Sequence, residues 1–113
     1  MKLKNSQGHL IAENIKLADS FFSRLIGLMF KEPLSEFDSL LIKKCNSIHT
    51  FFMKYPIDVI FMNKNFKVIR IYRNIKPWRM TRIVFGATQV IEFEAGKLLS
   101  EIAVGEELEL CIN

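Results

Sequence analysis

Residues 57–75 read IDVIFMNKNFKVIRIYRNI. Two runs rich in Ile, Val and Phe flank the polar triplet Asn63-Lys64-Asn65. β-branched and aromatic side chains suit a pleated, half-buried surface, and Asn tolerates turn conformations. The pattern predicts an antiparallel hairpin of residues 57–63 and 66–73. This commits most of the fold to β structure, because a lone hairpin is marginal without further strands. Residues 39–43 (SLLIK) and 88–94 (TQVIEFE) supply candidates, as do 9–17 (HLIAENIKL) at the front. SIHTFFM (47–53) fits strand or helix, and Thr50, Phe51 and Phe52 favour strand, so 48–53 is read as a further strand. The last stretch, 106–112, alternates: Leu108, Leu110 and Ile112 are expected inward, with Glu107, Glu109 and Cys111 outward.

One segment has a different period. In ADSFFSRLIGLMFKEP, Phe22, Leu25, Ile26 and Met29 recur at helical spacing. Asp19 or Ser20 can cap the start, and Pro33 blocks continuation. An amphipathic helix over about residues 19–30 is expected. AGKLLSEIAVG is compatible with a short C-terminal helix ending at Gly105. The predicted class is α+β and β-rich: a small curled antiparallel or barrel-like sheet with one N-terminal helix. Too few helices separate the strands for a parallel βαβ arrangement. At 113 residues, the chain is expected to form one domain spanning 1–113.

Two cysteines, Cys45 and Cys111, are too few for a disulfide scaffold. The N-terminus has no apolar run of signal-peptide length, and no stretch is long and apolar enough to span a bilayer. A cytoplasmic protein with reduced thiols and no membrane partner is the expectation.

RLIGLMFKEPL, CNSIHTFFMKYPIDVIFMNKNFKVI, IKPWR and VIEFEAG occur in an order that resembles the uncharacterised family called domain of unknown function 192. The resemblance covers about residues 15–112. It implies a small β-rich fold with one helix near the N-terminus, and no particular activity. Many relatives are exported, which the absence of a signal peptide here does not match. The family's hairpin turn usually contains Gly, so Asn must make the turn in this chain.

Cys45, His49, Met53 and Asp58 carry the residue types of soft-metal and thiol chemistry. Cys45, His49 and Met53 are spaced by four. On a helix, neighbours four apart rise about 6 Å; on a strand the separation is about 13 Å. Metal bonds of roughly 2.0–2.3 Å cannot bridge the latter. No metal or other cofactor is therefore expected, with Cys45 and His49 kept as the weak alternative ligands. Asp58, among Ile57, Val59 and Ile60, must be exposed or hydrogen-bonded. A structural role tying down the 54–56 turn is favoured over ligand binding. Arg24 is a candidate partner for Asp58 or Glu92. Trp78 and Arg79 after Pro77 combine a flat ring, a cation and a stiff backbone, although packing of Trp78 under a loop is favoured over ligand binding. The candidate ligand set is thus His49, Met53, Asp58, Trp78 and Arg79.

Charge is the least ordinary feature. No acidic residue lies between Asp58 and Glu92, whereas Lys64, Lys67, Arg70, Arg73, Lys76, Arg79 and Arg82 all do. This stretch carries +7 against +4 for the whole chain, leaving −3 elsewhere. A basic hairpin opposite an acidic C-terminal region is expected. Solvated surface with self-pairing to the acidic end is the favoured reading of these cations; Arg70, Arg73, Lys76 and Arg82 are the candidate anion-binding residues of the alternative, although Arg70 and Arg73 face opposite sides of a strand. Phe66, Tyr72 and Trp78 are interleaved and could stack on bases, but no nucleic-acid-binding motif accompanies them. No nucleophile–base pair, paired carboxylates or phosphate loop stands out, so no catalytic residue is assigned. A non-enzymatic binding or accessory domain, recognising an anionic partner or small ligand, is expected. The rival is a small thiol- or metal-dependent enzyme using Cys45 and His49.

Overall fold

Short apolar runs become strands here because each finds neighbours to pair with. The computed structural model of the chain describes residues 1–18, 36–98 and 101–112. Its strands, in chain order, are β1 (Lys2–Lys4), β2 (Leu10–Ala12), β3 (Ile15–Ala18), β4 (Ser39–Lys43), β5 (Ile57–Met62), β6 (Val68–Ile75), β7 (Gln89–Glu94) and β8 (Glu109–Cys111). A five-stranded sheet runs β3-β4-β7-β5-β6 and a three-stranded sheet runs β2-β1-β8. Every residue of β5 is buried. A strand covered on both faces reads as a continuous apolar run, which is why IDVIFM shows no alternation.

The hairpin forms as expected. β5 and β6 pair antiparallel, with Phe61 opposite Arg70, Ile60 opposite Ile71 and Val59 opposite Tyr72. Asn63 makes the turn: its Oδ1 accepts hydrogen bonds from the N–H groups of Asn65 and Lys67. Phe66 takes the left-handed conformation at φ 61°. A side-chain acceptor thus mimics a backbone turn where glycine is lacking.

Two cores result. Leu3, Ile11, Ile15, Ile60, Ile91 and Phe93 belong to one, which draws on both sheets. Leu40, Tyr55, Val59, Phe61, Val84 and Val90 belong to the other, on the opposite face of the five-stranded sheet. The residues between β7 and β8 contribute Leu98 and Ile102 to the first core.

Several expectations need correction. Among the described residues there are eight strands and no helix, so their class is all-β rather than α+β. The amphipathic helix over 19–30 lies outside the described residues. The short helix within AGKLLSEIAVG is replaced by turns at 95–98 and 101–105. Gly96 at φ 90° takes the chain out of helical geometry, and Gly105 N–H donates to Val68 O instead of ending a helix. Nor do the described residues form a barrel: the two sheets do not close on each other. Lys67 and Glu107 form an isolated bridge between the start of β6 and the approach to β8. The five-stranded sheet is not purely antiparallel, since β3 and β4 run parallel and are joined through residues 19–38. The 9–17 run breaks at Glu13 and Asn14, whose N–H groups both donate to the Asp38 carboxylate. Residues 48–53 are not a strand. Phe52 sits at φ 64°, and the segment makes only an isolated bridge, His49 to Met80. At the C-terminal end Leu108 is buried as expected, but Ile112 is exposed.

Candidate functional site

Residues 46–52 and 76–85 lie side by side because one threonine holds them. Thr50 is fully buried. Its hydroxyl donates to Lys76 O at 2.6 Å and accepts from Arg79 N–H at 2.8 Å. Its backbone adds two bonds, Thr50 N–H to Arg79 O and Trp78 N–H to Thr50 O. Farther along, Thr81 N–H donates to Ile48 O and Val84 N–H to Asn46 O. This clamp holds two bulky residues, Phe52 and Trp78, at positive φ. Such conformations cost of order 1–3 kcal/mol each and persist only where surroundings enforce them.

The clamp presents an apolar and cationic face. Phe52 and Trp78 pack edge to face at 4.6 Å, Phe51 stacks on Trp78 at 5.8 Å, and His49 stacks on Phe51 at 4.9 Å. Trp78 is 56% exposed, and beyond it Met80 is 69%, Ile83 57% and Phe85 87% exposed. Four large side chains close in sequence are thus left in contact with solvent.

Between this segment and β6 runs a groove. One part, of about 330 Å³, is lined by Arg70, Tyr72, Ile75, Met80, Thr81 and Arg82. An adjoining part of about 280 Å³ shares Arg70, Tyr72 and Arg82 and adds Ile83 and Phe85. Arg70 lies 5.7 Å from the centre of the Tyr72 ring and donates to its hydroxyl at 3.3 Å. Tyr72 in turn packs edge-on against Phe61 of the core. The guanidinium is thereby propped on a fixed ring. Arginine offers planar, multidentate donors to phosphate or carboxylate, so two at one groove suit an anion.

The structure sorts the residues expected from sequence. Arg70 and Arg82 come together at the groove. Arg73 does not join them: its guanidinium donates to Leu98 O. Lys76 is exposed on the clamped turn. Of the ligand set, His49, Trp78 and Arg79 gather at the aromatic cluster. Met53 is buried in the second core. Asp58 is 2% exposed and uses both oxygens structurally, accepting from Asn74 N–H and Gly96 N–H. It ties down a bend in β6 and the turn after β7, not the 54–56 turn. Arg24 lies outside the described residues. Cys45 Sγ donates to Ser47 O, and His49 Nδ1 accepts from Phe51 N–H. Among the described residues no three His, Cys, Asp or Glu side chains are grouped to hold a metal ion. Nor is any described helix long and apolar enough to cross a membrane.

Two features escaped sequence reasoning. Met80, Ile83 and Phe85 could have been noticed as large apolar residues in a basic loop after Pro77. Glu92 gave a subtler signal, a carboxyl between Ile91 and Phe93. It is 3% exposed on β7, beside Leu40 of β4 and Val59 of β5, and its Oε1 has no hydrogen-bond partner among the described residues. Burial pushes its pKa up to about 8.

A wider depression of about 610 Å³ lies elsewhere, lined by Lys2, Glu13, Glu36, Asp38, Glu94 and Lys97 among others. It is larger than either part of the groove. Its lining carries four carboxylates against two lysines, an acidic excess that disfavours an anion.

Comparison with known proteins places the chain among relatives. The family model DUF192, described as an uncharacterised ACR, matches residues 2–110. A UPF0127 protein of Pyrococcus horikoshii is 40% identical over 85 residues, 73% of each chain. A UPF0127 protein of Pyrococcus furiosus is 34% identical over 111 residues, 95% of each chain. A crystal structure from Sinorhizobium meliloti shares the fold, with a TM-score of 0.78 at 20% identity, over 96% of this chain and 89% of that one.

Proposed function

This chain belongs to the DUF192 family, described as uncharacterised, and from the groove beside β6 we propose that it is a non-enzymatic binding module for an anionic partner. One observation carries the reading. Arg70 and Arg82 share a groove walled by exposed apolar side chains, in a stretch with no acidic residue from 59 to 91. A cation pair beside a low-dielectric wall holds an anion more firmly than the same pair in open water. The composition also suits recognition, since Arg, Met and aromatic side chains are enriched at binding interfaces. Phosphate and carboxylate groups share the chemistry that two guanidinium groups recognise.

Calorimetric titration with tripolyphosphate at low salt tests this. Wild-type protein should bind, and added salt should weaken the binding. Arg70→Ala and Arg82→Ala should each lower affinity about 10- to 100-fold, the effect of losing a charge-assisted hydrogen bond. Lys43→Ala, an exposed cation at the end of β4, should change little. Equal affinity in all variants would refute the groove as the site.

A further inference from the structure

The two arginines set the sign of the partner, and the backbone around them sets its form. β6 is an edge strand of the five-stranded sheet. Among the described residues, backbone bonds on its outer side lie at the start, where Val68 N–H donates to Glu106 O and Gly105 N–H donates to Val68 O, and farther along the Arg73 guanidinium reaches Leu98 O. Among the described residues no bond continues that pairing along Ile69–Tyr72. At Asn74 the N–H turns inward to Asp58. Arg70, Ile71 and Tyr72 are in regular register with β5, between two register shifts. An open strand edge of this kind is a template for another strand.

Across the groove the 80–85 segment turns its own bonds away. Thr81 N–H and Val84 N–H donate to the 46–48 segment on the far side. Met80, Arg82, Ile83 and Phe85 then line the groove opposite Arg70 and Tyr72. An extended chain presents side chains of alternating direction, so acidic and apolar residues in alternation match this lining. The charge also discriminates. A second basic β6 edge would be repelled, whereas an acidic segment would be attracted.

We propose that the β6 edge receives an extended acidic peptide segment of a partner protein as an added strand. Carboxylates of that segment point to the wall that carries Arg70, and its intervening apolar side chains point to the opposite wall of Met80, Ile83 and Phe85. Main-chain bonds to Arg70–Tyr72 supply the alignment, as in other strand-addition complexes. This rests on the anion-binding reading of the same groove.

The test uses the full chain and a short capped peptide alternating Glu with Val. Two further copies of the peptide carry backbone N-methyl groups, one on the Glu positions and one on the Val positions. Wild-type protein should bind the parent peptide, with slower amide exchange at Ile69–Tyr72. One of the two methylated registers should bind about tenfold more weakly or worse, because its donors can no longer reach β6. Arg70→Glu should weaken binding comparably. Equal binding of all three peptides overturns strand addition and leaves the anion-binding reading standing. Failure of the parent peptide at millimolar concentration, with tripolyphosphate still bound, likewise overturns strand addition alone. Failure of both ligands removes both readings. Binding to anionic phosphatidylglycerol vesicles without peptide binding would assign the face to a lipid surface and overturn the inference. Self-association abolished by Glu107→Lys would assign the edge to a second copy and overturn it too.

Discussion

Chemical denaturation of this domain should show stability falling as pH rises from roughly 5 to 9, with most of the fall traced to Glu92. The carboxyl lies on the central strand β7, between Leu40 and Val59, with Oε1 unpartnered among the described residues. Burial raises its pKa from 4.5 to about 8. Between those values the folded protein holds a proton that the unfolded chain has released. Stability therefore decreases with pH through that window. The favourable difference is fully present below the unfolded value and is lost as pH passes the folded one. At 1.36 kcal/mol per pKa unit, the total is on the order of 5 kcal/mol. Glu92→Gln cannot titrate, so its stability should stay flat across the same range. Glu106 works in the opposite sense and in a different window. The Ser6 N–H holds its pKa below the ordinary value, so its small contribution is lost only in acid. An unchanged alkaline slope in Glu92→Gln would show that another group is responsible.

Asp58→Ala should destabilise the domain by about 3–5 kcal/mol, a large share of a small domain's total. Asp58 Oδ1 accepts from Asn74 N–H at 2.8 Å and Oδ2 from Gly96 N–H at 2.9 Å. Those two donors sit where the backbone is least regular. Asn74 has φ 55° within β6, and Gly96 has φ 90° just after β7. One carboxylate on β5 thus fastens both neighbouring strands at the same end. Removing it leaves two part-buried donors without an acceptor, and each such loss costs more than an average hydrogen bond. Asp58→Asn keeps one acceptor oxygen and should cost about half as much. Urea midpoints at constant slope measure both. A change under about 0.5 kcal/mol for Asp58→Ala would place it among ordinary surface substitutions and refute this role.

The hairpin is legible in the sequence because its determinants are local. Apart from Asp58 the fully buried strand β5 is apolar throughout, and Asn63 carries its own turn chemistry. Glu92 is hidden for a nonlocal reason. In TQVIEFE the alternation suggests an outward carboxyl, but β7 lies in the middle of β3-β4-β7-β5-β6, with cores on both faces. Sequence order does not reveal which strand is central. Strand propensity in Thr50-Phe51-Phe52 loses to tertiary bonding, since Thr50 spends its groups on Lys76, Trp78 and Arg79. The charge map is readable as composition. Which cations share a face depends on the β6 register, which pairs Arg70 with Phe61 and Tyr72 with Val59. Arg73, one position past Tyr72, goes instead to Leu98 O.

Backbone chemical-shift mapping of the full chain during tripolyphosphate titration at low ionic strength tests the binding site most directly. The predicted result is a saturable set of shifts centred on Arg70, Tyr72, Thr81, Arg82 and Ile83, absent in a protein carrying both Arg70→Ala and Arg82→Ala. Shifts confined to Lys2 and Lys97 at the wider depression, or none at all, would contradict it.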